Sequence, residues 1–228
     1  MAESGIRSDD TAKPIKRRGP AKGISSPSFQ INRERVIKIS ARLFAQNGYH
    51  ATGITELCQA TDLSRGALYH YIDSKQMLLY EICRTQVMNM NVHAAEIAAM
   101  DASAEDKLRR LACSLLRNIS DHLDEWTVFF KEFANLEGER RKEIMTARDV
   151  YEAHWLSIVD STEAARDRIE ITLPLVVKGL LGMFNYSYVW LRPDGAFTPE
   201  QVADNFVEII LNGLRDERPG STAKSVPS

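Results

Sequence analysis

Between Thr52 and Lys75 the chain reads TGITELCQATDLSRGALYHYIDSK, and the placing of its few apolar residues leaves little choice of fold. Ile54, Leu57 and Cys58 recur at the i, i+3, i+4 spacing of one helix face. Leu68 and Ile72, four apart, mark the inner face of a second short helix, with Thr61-Asp62-Leu63-Ser64 as the turn between the two. Ser64 offers a side-chain acceptor to the free amides of the second helix, and Thr52 or Gly53 can begin the first. Asp73 or Ser74 starts a further helix with Leu79, Cys83 and Val87 inward. Upstream, from Asn32, Val36, Ile39, Leu43 and Phe44 share one face and Gly48 ends the segment as a C-cap glycine would. Helix, helix, tight turn, helix within roughly 45 residues is helix-turn-helix spacing.

The rest of the 228 residues contains no convincing strand. Helices are expected over 75–99, 103–122, 124–136, 139–162, 166–192 and 199–215. The acidic and Gly/Pro-rich stretches between them make the breaks, with Pro174 beginning or kinking one helix and Pro199 suited to a first turn. The chain is therefore read as all-α, about nine helices. Its divisions are a disordered arm over 1–30, a helix-turn-helix domain over 31–78, a larger helical domain over 79–217 and a disordered tail over 218–228. No uncharged apolar run approaches the length of a membrane span, and no apolar segment follows the basic N-terminus, so the expected location is the cytoplasm.

Charge is unevenly divided. Residues 1–80 carry 12 Lys and Arg against 7 Asp and Glu, while residues 81–228 carry 17 against 24. A basic first third on an acidic body suits an anionic polymer at the N-terminal end. Lys13, Lys16, Arg17, Arg18 and Lys22 crowd the arm, where they can meet phosphates or enter a minor groove.

With Leu68 and Ile72 buried, Arg65 and Tyr69 share an outward stripe, as do Gly66 and His70. A helix in a major groove points its N-terminal residues at base edges, where Arg65 can pair two donors with guanine. Gly66 allows close backbone approach, and Ala67 can touch a thymine methyl. Tyr69, His70 and Tyr71 offer donors to phosphates, with Thr52 and Lys75 clamping the same strand. One such unit reads one half-site, so a homodimer on a palindromic double-stranded DNA operator is expected.

Enzymatic signatures are missing: the sequence has no Glu-x-x-His pair for a di-iron bundle, no HExxH and no Gly-rich phosphate loop. Cys58, Cys83 and Cys113 lie too far apart for a zinc framework, and His122 and His154 lack partners at ligand spacing, so neither metal nor cofactor is expected. Aromatic residues crowd three segments, with Trp126, Phe129, Phe130 and Phe133 in one, Tyr151, His154 and Trp155 in another, and Phe184, Tyr186, Tyr188 and Trp190 in a third. Among them Trp126, Phe130, Phe133, Tyr151, His154, Trp155, Phe184 and Tyr188 are the candidate effector contacts. Such stripes ordinarily fill a core, yet with scattered polar groups they also fit a pocket for a small-molecule effector.

Over residues 40–79 the chain resembles the DNA-binding domain of the TetR family of bacterial transcriptional regulators. The likeness rests on Leu43-Phe44, Gly48-Tyr49, Ala51-Thr52, Leu57, Leu63-Ser64, Gly66, Leu68-Tyr69 and Ser74-Lys75. Departures are Gly53 where Thr or Ser is usual, Asp62 for the turn glycine, Cys58 for alanine and Ile72 for a core phenylalanine. Thr55 stands where a base-reading arginine is common. The resemblance implies a DNA-contacting set of Thr52, Thr55, Ser64, Arg65, Gly66, Ala67, Tyr69, His70, Tyr71 and Lys75. It also implies dimerisation through helices 166–192 and 199–215, where Gly179 and Gly182 permit close approach. The implied function is a repressor released from its operator by an effector. The Trp190–Gly195 segment and the following Thr-Pro-Glu-Gln-Val-Ala-Asp are similar to the branch that senses acyl-CoA or steroid-derived CoA thioesters. A regulator of efflux or stress genes, responding to an aromatic or amphipathic drug-like ligand, is the alternative.

Overall fold

The computed structural model describes residues 26–166 and 172–214. Nine helices longer than a single turn and one single-turn helix make up these residues, with no strand among them. The helix-turn-helix unit consists of α1 (Pro27–Asn47), α2 (Ile54–Thr61) and α3 (Arg65–Tyr71). The body comprises α4 (Lys75–Ala98), α5 (Ala104–Asp121), α6 (Leu123–Glu132) and α7 (Gly138–Asp160). It continues with the single turn α8 (Glu163–Arg166), α9 (Leu173–Tyr186) and α10 (Pro199–Leu214). Short 3-10 turns, Phe133–Asn135 and Ser187–Val189, extend α6 and α9.

Local chemistry explains most boundaries. Ser26 caps α1, with its Oγ accepting from Phe29 N at 3.3 Å and Pro27 in the first turn. The helix thus starts five residues before the expected Asn32, inside the span assigned to a disordered arm. Asp62 ends α2 in the left-handed region at φ 56°, taking the role of the usual glycine. Ser64, Ser74 and Ser103 each cap the following helix through their hydroxyl oxygens. At α10, Thr198 and Gln201 bond reciprocally, Thr198 N to Gln201 Oε1 at 3.0 Å and Gln201 N to Thr198 Oγ1 at 3.2 Å. The single helix expected over 166–192 is instead a helix over Leu173–Tyr186 begun by Pro174. Residues 167–171 lie outside the described part, as do the basic cluster Lys13–Lys22 and the 218–228 tail.

Val36, Phe44, Leu57 and Leu68 form the fully buried centre of the first unit, with Tyr49 set edge-on to Phe44 at 5.3 Å. α4 is shared by both halves. Its Leu79, Ile82 and Cys83 pack at the N-terminal end, and its Val87, Met90, Ala94 and Ile97 pack in the body. α5 runs through the middle of the body with Leu108, Leu111, Leu115, Leu116 and Ile119 wholly buried. Burial pushes the Cys83 thiol up to about 12, so this sulfur acts as a packing group rather than a reactive one. No described helix is long and apolar enough to cross a membrane.

Candidate functional site

The outward face of α3 is arranged much as its sequence predicts. Leu68 is fully buried and Ile72 nearly so, while Ser64, Arg65, Gly66, Tyr69 and His70 are exposed. Arg65 leans over the Tyr69 ring, its guanidinium carbon 5.9 Å from the centroid, so the two side chains present one donor surface. Ser64 Oγ accepts from Ala67 N at 3.2 Å, leaving the hydroxyl proton free to donate outward. Among the described residues, nothing beyond the local backbone lies within 4 Å of where a Cβ on Gly66 would sit. Internal packing therefore does not demand glycine there. Thr55 is exposed on α2 beside this face, and Ala67 is half-buried.

Three expected contacts are placed differently. Thr52 has no exposed surface, and its hydroxyl donates to Gly48 O at 2.9 Å and lies 3.4 Å from Leu43 O. Its backbone N–H also bonds Gly48 O at 3.3 Å. Both donors are thus consumed inside the loop that Gly48 opens at φ 87°, so Thr52 shapes that loop and is corrected from a DNA-contacting group to a structural one. Lys75 is half-buried, its ammonium 4.4 Å above the Tyr49 ring and 3.5 Å from His50 O. Burial lowers its pKa, with nearby Glu132 working against that shift. Tyr71 is half-buried against Phe29 at 5.1 Å, and Phe29 also meets His70 edge-on at 5.2 Å. The first turn of α1, unforeseen in the sequence, thereby steadies the end of α3.

In the body, α4, α6, α7 and α9 enclose a cavity of about 290 Å³. Its apolar wall is made by Val87, Met90, Trp126, Phe129, Phe130 and Leu181. The polar lining comes from Arg148, Tyr151 and Glu152 of α7 with Lys178 and Asn185 of α9, Gly182 completing the rim. Of the residues proposed for an effector pocket, Trp126, Phe130 and Tyr151 are brought together here. Phe133, His154, Trp155, Phe184 and Tyr188 do not line it. Trp155 and Phe184 are fully buried and packed on one another at 5.4 Å, joining α7 to α9. Tyr188 rests on Phe130 at 4.9 Å from behind, and Phe133 lies under the Arg141 and Arg148 guanidiniums. Phe129, part of the same aromatic run as Trp126 and Phe130, does line the cavity. Missed by sequence reasoning were Val87, Met90, Arg148, Glu152, Lys178, Leu181, Gly182 and Asn185.

A short chain of polar contacts links this body to the reading unit. Asn135, just past α6, accepts through its Oδ1 from His50 Nε2–H at 2.7 Å. It also donates from Nδ2 to Glu132 Oε2 at 2.8 Å. Glu132 lies one turn beyond the cavity-lining Phe129 and Phe130, and its Oε1 stands 3.6 Å from the Cβ position of Gly48.

Residues 36–82 match the family model described as bacterial regulatory proteins, tetR family, and residues 101–214 match the tetracyclin repressor-like C-terminal domain. The HTH-type transcriptional repressor KstR2 of Rhodococcus jostii is 24% identical over 184 residues, 80% of this chain and 90% of that one. Among solved structures, the regulator PfmR from Thermus thermophilus superposes with a TM-score of 0.72 at 28% identity, covering 79% of this chain and 99% of the other. AibR, solved in complex with isovaleryl coenzyme A and operator DNA, gives a TM-score of 0.68 at 23% identity over 78% of this chain and 97% of its own.

Proposed function

The chain belongs to the TetR family of DNA-binding regulators, which are not enzymes, and from that premise we propose that it is an operator-bound repressor released by an acyl-CoA or steroid-derived CoA thioester. The observation that carries the DNA-binding part is the exposed Arg65–Tyr69 surface at the start of α3, held by the Ser64 cap and the buried Leu68. Arg65 reads guanine, Tyr69, His70 and Ser64 meet phosphates, and Thr55 takes a place beside them.

Two copies act together. Leu175 and Tyr186 on α9 and Ile209 on α10 are 66%, 63% and 60% exposed, and the Cβ position of Gly179 meets open space among the described residues, whereas Gly182 borders the cavity. Such an apolar face suits a second copy of the same chain, which would place two α3 helices in successive major grooves, about 34 Å apart, on a palindromic site. The effector fills the cavity between α4, α6, α7 and α9. Because α4 and α6 are held to the reading unit, a change in their packing alters the spacing of the two α3 helices. Preferential binding to the form that misfits the operator then lowers DNA occupancy.

Support for a thioester effector comes from the sequence likeness at Trp190–Gly195 and from the isovaleryl coenzyme A bound in AibR, while KstR2 supports the repressor role. The test is selection of duplexes from a random pool, followed by fluorescence anisotropy on the enriched sequence with and without acyl-CoA thioesters. An inverted repeat released by thioester is expected. Enrichment of no sequence would overturn the DNA-binding reading, and release by uncharged aromatic drugs but not thioesters would favour the efflux-type alternative.

A further inference from the structure

Two neighbouring polar groups by the body cavity, the Tyr151 hydroxyl and the Trp155 indole N–H, are buried with no hydrogen bond of good geometry among the described residues. Tyr151 borders the cavity and is 9% exposed, and its hydroxyl proton has no acceptor among the described residues. A buried hydroxyl left unpaired costs roughly 1–3 kcal/mol, which a ligand oxygen would recover on binding. Burial also pushes the Tyr151 phenol up, opposed only in part by the nearby Trp155 N–H, which can reach the phenol oxygen but leaves its O–H without an acceptor, so the group is a neutral O–H donor.

The charges around the same space are unequal. Arg148, Glu152 and Lys178 are its ionisable lining residues, two cations against one anion. Lys178 Nζ and Glu152 Oε1 bond at 2.7 Å from α9 to α7, neutralising one another across the opening. Arg148 is the cation in excess. It is exposed, stands 5.7 Å from the centroids of both Phe129 and Phe133, and has no described carboxylate within ion-pair distance. A guanidinium resting on ring faces keeps its N–H donors at the edge, turned to whatever enters.

Resting on the effector reading above, we infer that the cavity selects an amphipathic anion through two residues, Tyr151 for a carbonyl oxygen and Arg148 for the acidic portion. The compact apolar part lies against Trp126, Phe129 and Leu181. The Tyr151 hydroxyl donates to the carbonyl. Arg148 holds the ligand's negative charge at the opening, where that charge also competes with Glu152 for Lys178. This arrangement discriminates against cationic amphiphiles, which would face Arg148 and Lys178 with only Glu152 to meet them. The Glu152–Lys178 pair is then the tie between α7 and α9 that an entering anion loosens.

The experiment uses the full chain and three sets of probes: butyryl- to octanoyl-CoA, octanoate, and octylammonium, each by thermal shift and calorimetry. The thioesters should raise the melting temperature most, octanoate less, and octylammonium not at all. Tyr151→Phe should weaken the best thioester by roughly five- to tenfold while leaving the ligand-free melting temperature unchanged or higher, a combination that simple loss of packing would not give. Arg148→Met should weaken it by about fivefold at low salt, with the gap closing at high salt and partly recovered in Arg148→Lys. Octylammonium binding as tightly as octanoate, thioester affinity unmoved in both variants, or no stabilisation by any probe would overturn the inference. Operator affinity of the ligand-free protein is measured alongside, since its loss would count against the regulator reading itself rather than against these two residues.

Discussion

His50 Nε2 and Asn135 Oδ1 meet at 2.7 Å, joining the loop that precedes α2 to the 3-10 turn that follows the cavity-lining α6. The residues are 85 positions apart in sequence. Asn135 is itself held by Glu132, so displacement of α6 by an effector reaches His50 through two hydrogen bonds. Asn135→Ala is expected to leave the body cavity and effector affinity intact while reducing the effector's power to release DNA by severalfold. Anisotropy titrations of operator complex with effector, paired with calorimetry of effector alone, separate these two quantities. Equal release by wild type and variant would rule the link out.

On α3, Arg65→Ala should lower operator affinity by about 10- to 100-fold, in keeping with loss of a bidentate base contact, with no change in thermal stability. Gly66→Ala should act in opposite directions on two readouts. The added methyl meets only open space in the protein, so stability should hold or rise by up to ~1 kcal/mol, whereas operator affinity should fall. Thermal melts and anisotropy on the same samples check both.

Thr52→Val provides the contrast. Removing the hydroxyl that bonds Gly48 O leaves a buried carbonyl less well satisfied, and a loss of about 1 kcal/mol is expected. Any effect on DNA should follow that instability, with the salt dependence of binding unchanged. A shallower salt slope with unaltered melting would instead restore Thr52 as a phosphate contact.

The difference between Arg65 and Thr52 shows what could be read from the chain. Arg65 is fixed by local spacing: a cap at Ser64 and apolar residues at Leu68 and Ile72 decide which way it faces. Thr52 faces inward because the loop after Gly48 folds its carbonyls back, a feature of tertiary geometry with no local pattern. The same contrast holds in the body. Trp155 and Phe184 carry the aromatic signature of a pocket but fill the α7–α9 joint, while Arg148 and Lys178 look like ordinary surface residues and border the cavity. Aromatic spacing identifies an inner face without saying whether another helix or a space lies opposite.

Acid should loosen α10. Arg117 of α5 pairs with Glu200 at the start of α10, and Arg109 pairs with Glu208 at 2.7 Å farther along. The hydrogen bond from Arg117 and a backbone hydrogen bond hold the Glu200 carboxyl down at about 2. A folded pKa below the unfolded value gives stability that is full above the usual carboxylate range, near pH 4.5, and lost as pH falls toward 2. Because both side chains are substantially exposed, the contribution at neutral pH should be under about 1 kcal/mol. Glu200→Gln should therefore melt slightly below wild type at pH 7, with the gap narrowing between about pH 4.5 and 2; a gap constant over that range would refute the assignment.

Ile209→Glu places a charge in the middle of the exposed α9–α10 face. Sedimentation should show a shift toward monomer, with operator affinity falling by two orders of magnitude or more as the second half-site is lost. A variant that remains dimeric would place the contact between copies elsewhere.

α4 is one unbroken helix whose Leu79 lies in the core of the reading unit and whose Met90 forms part of the cavity wall. About 16 Å of rigid rod separates them, at 1.5 Å per residue. Geometry then sets the gain of the device: a swing of five degrees about the Met90 end carries the Leu79 end by only about 1.4 Å, and proportionally more at the tip of α3 beyond it. The molecule's sensitivity is a matter of angle.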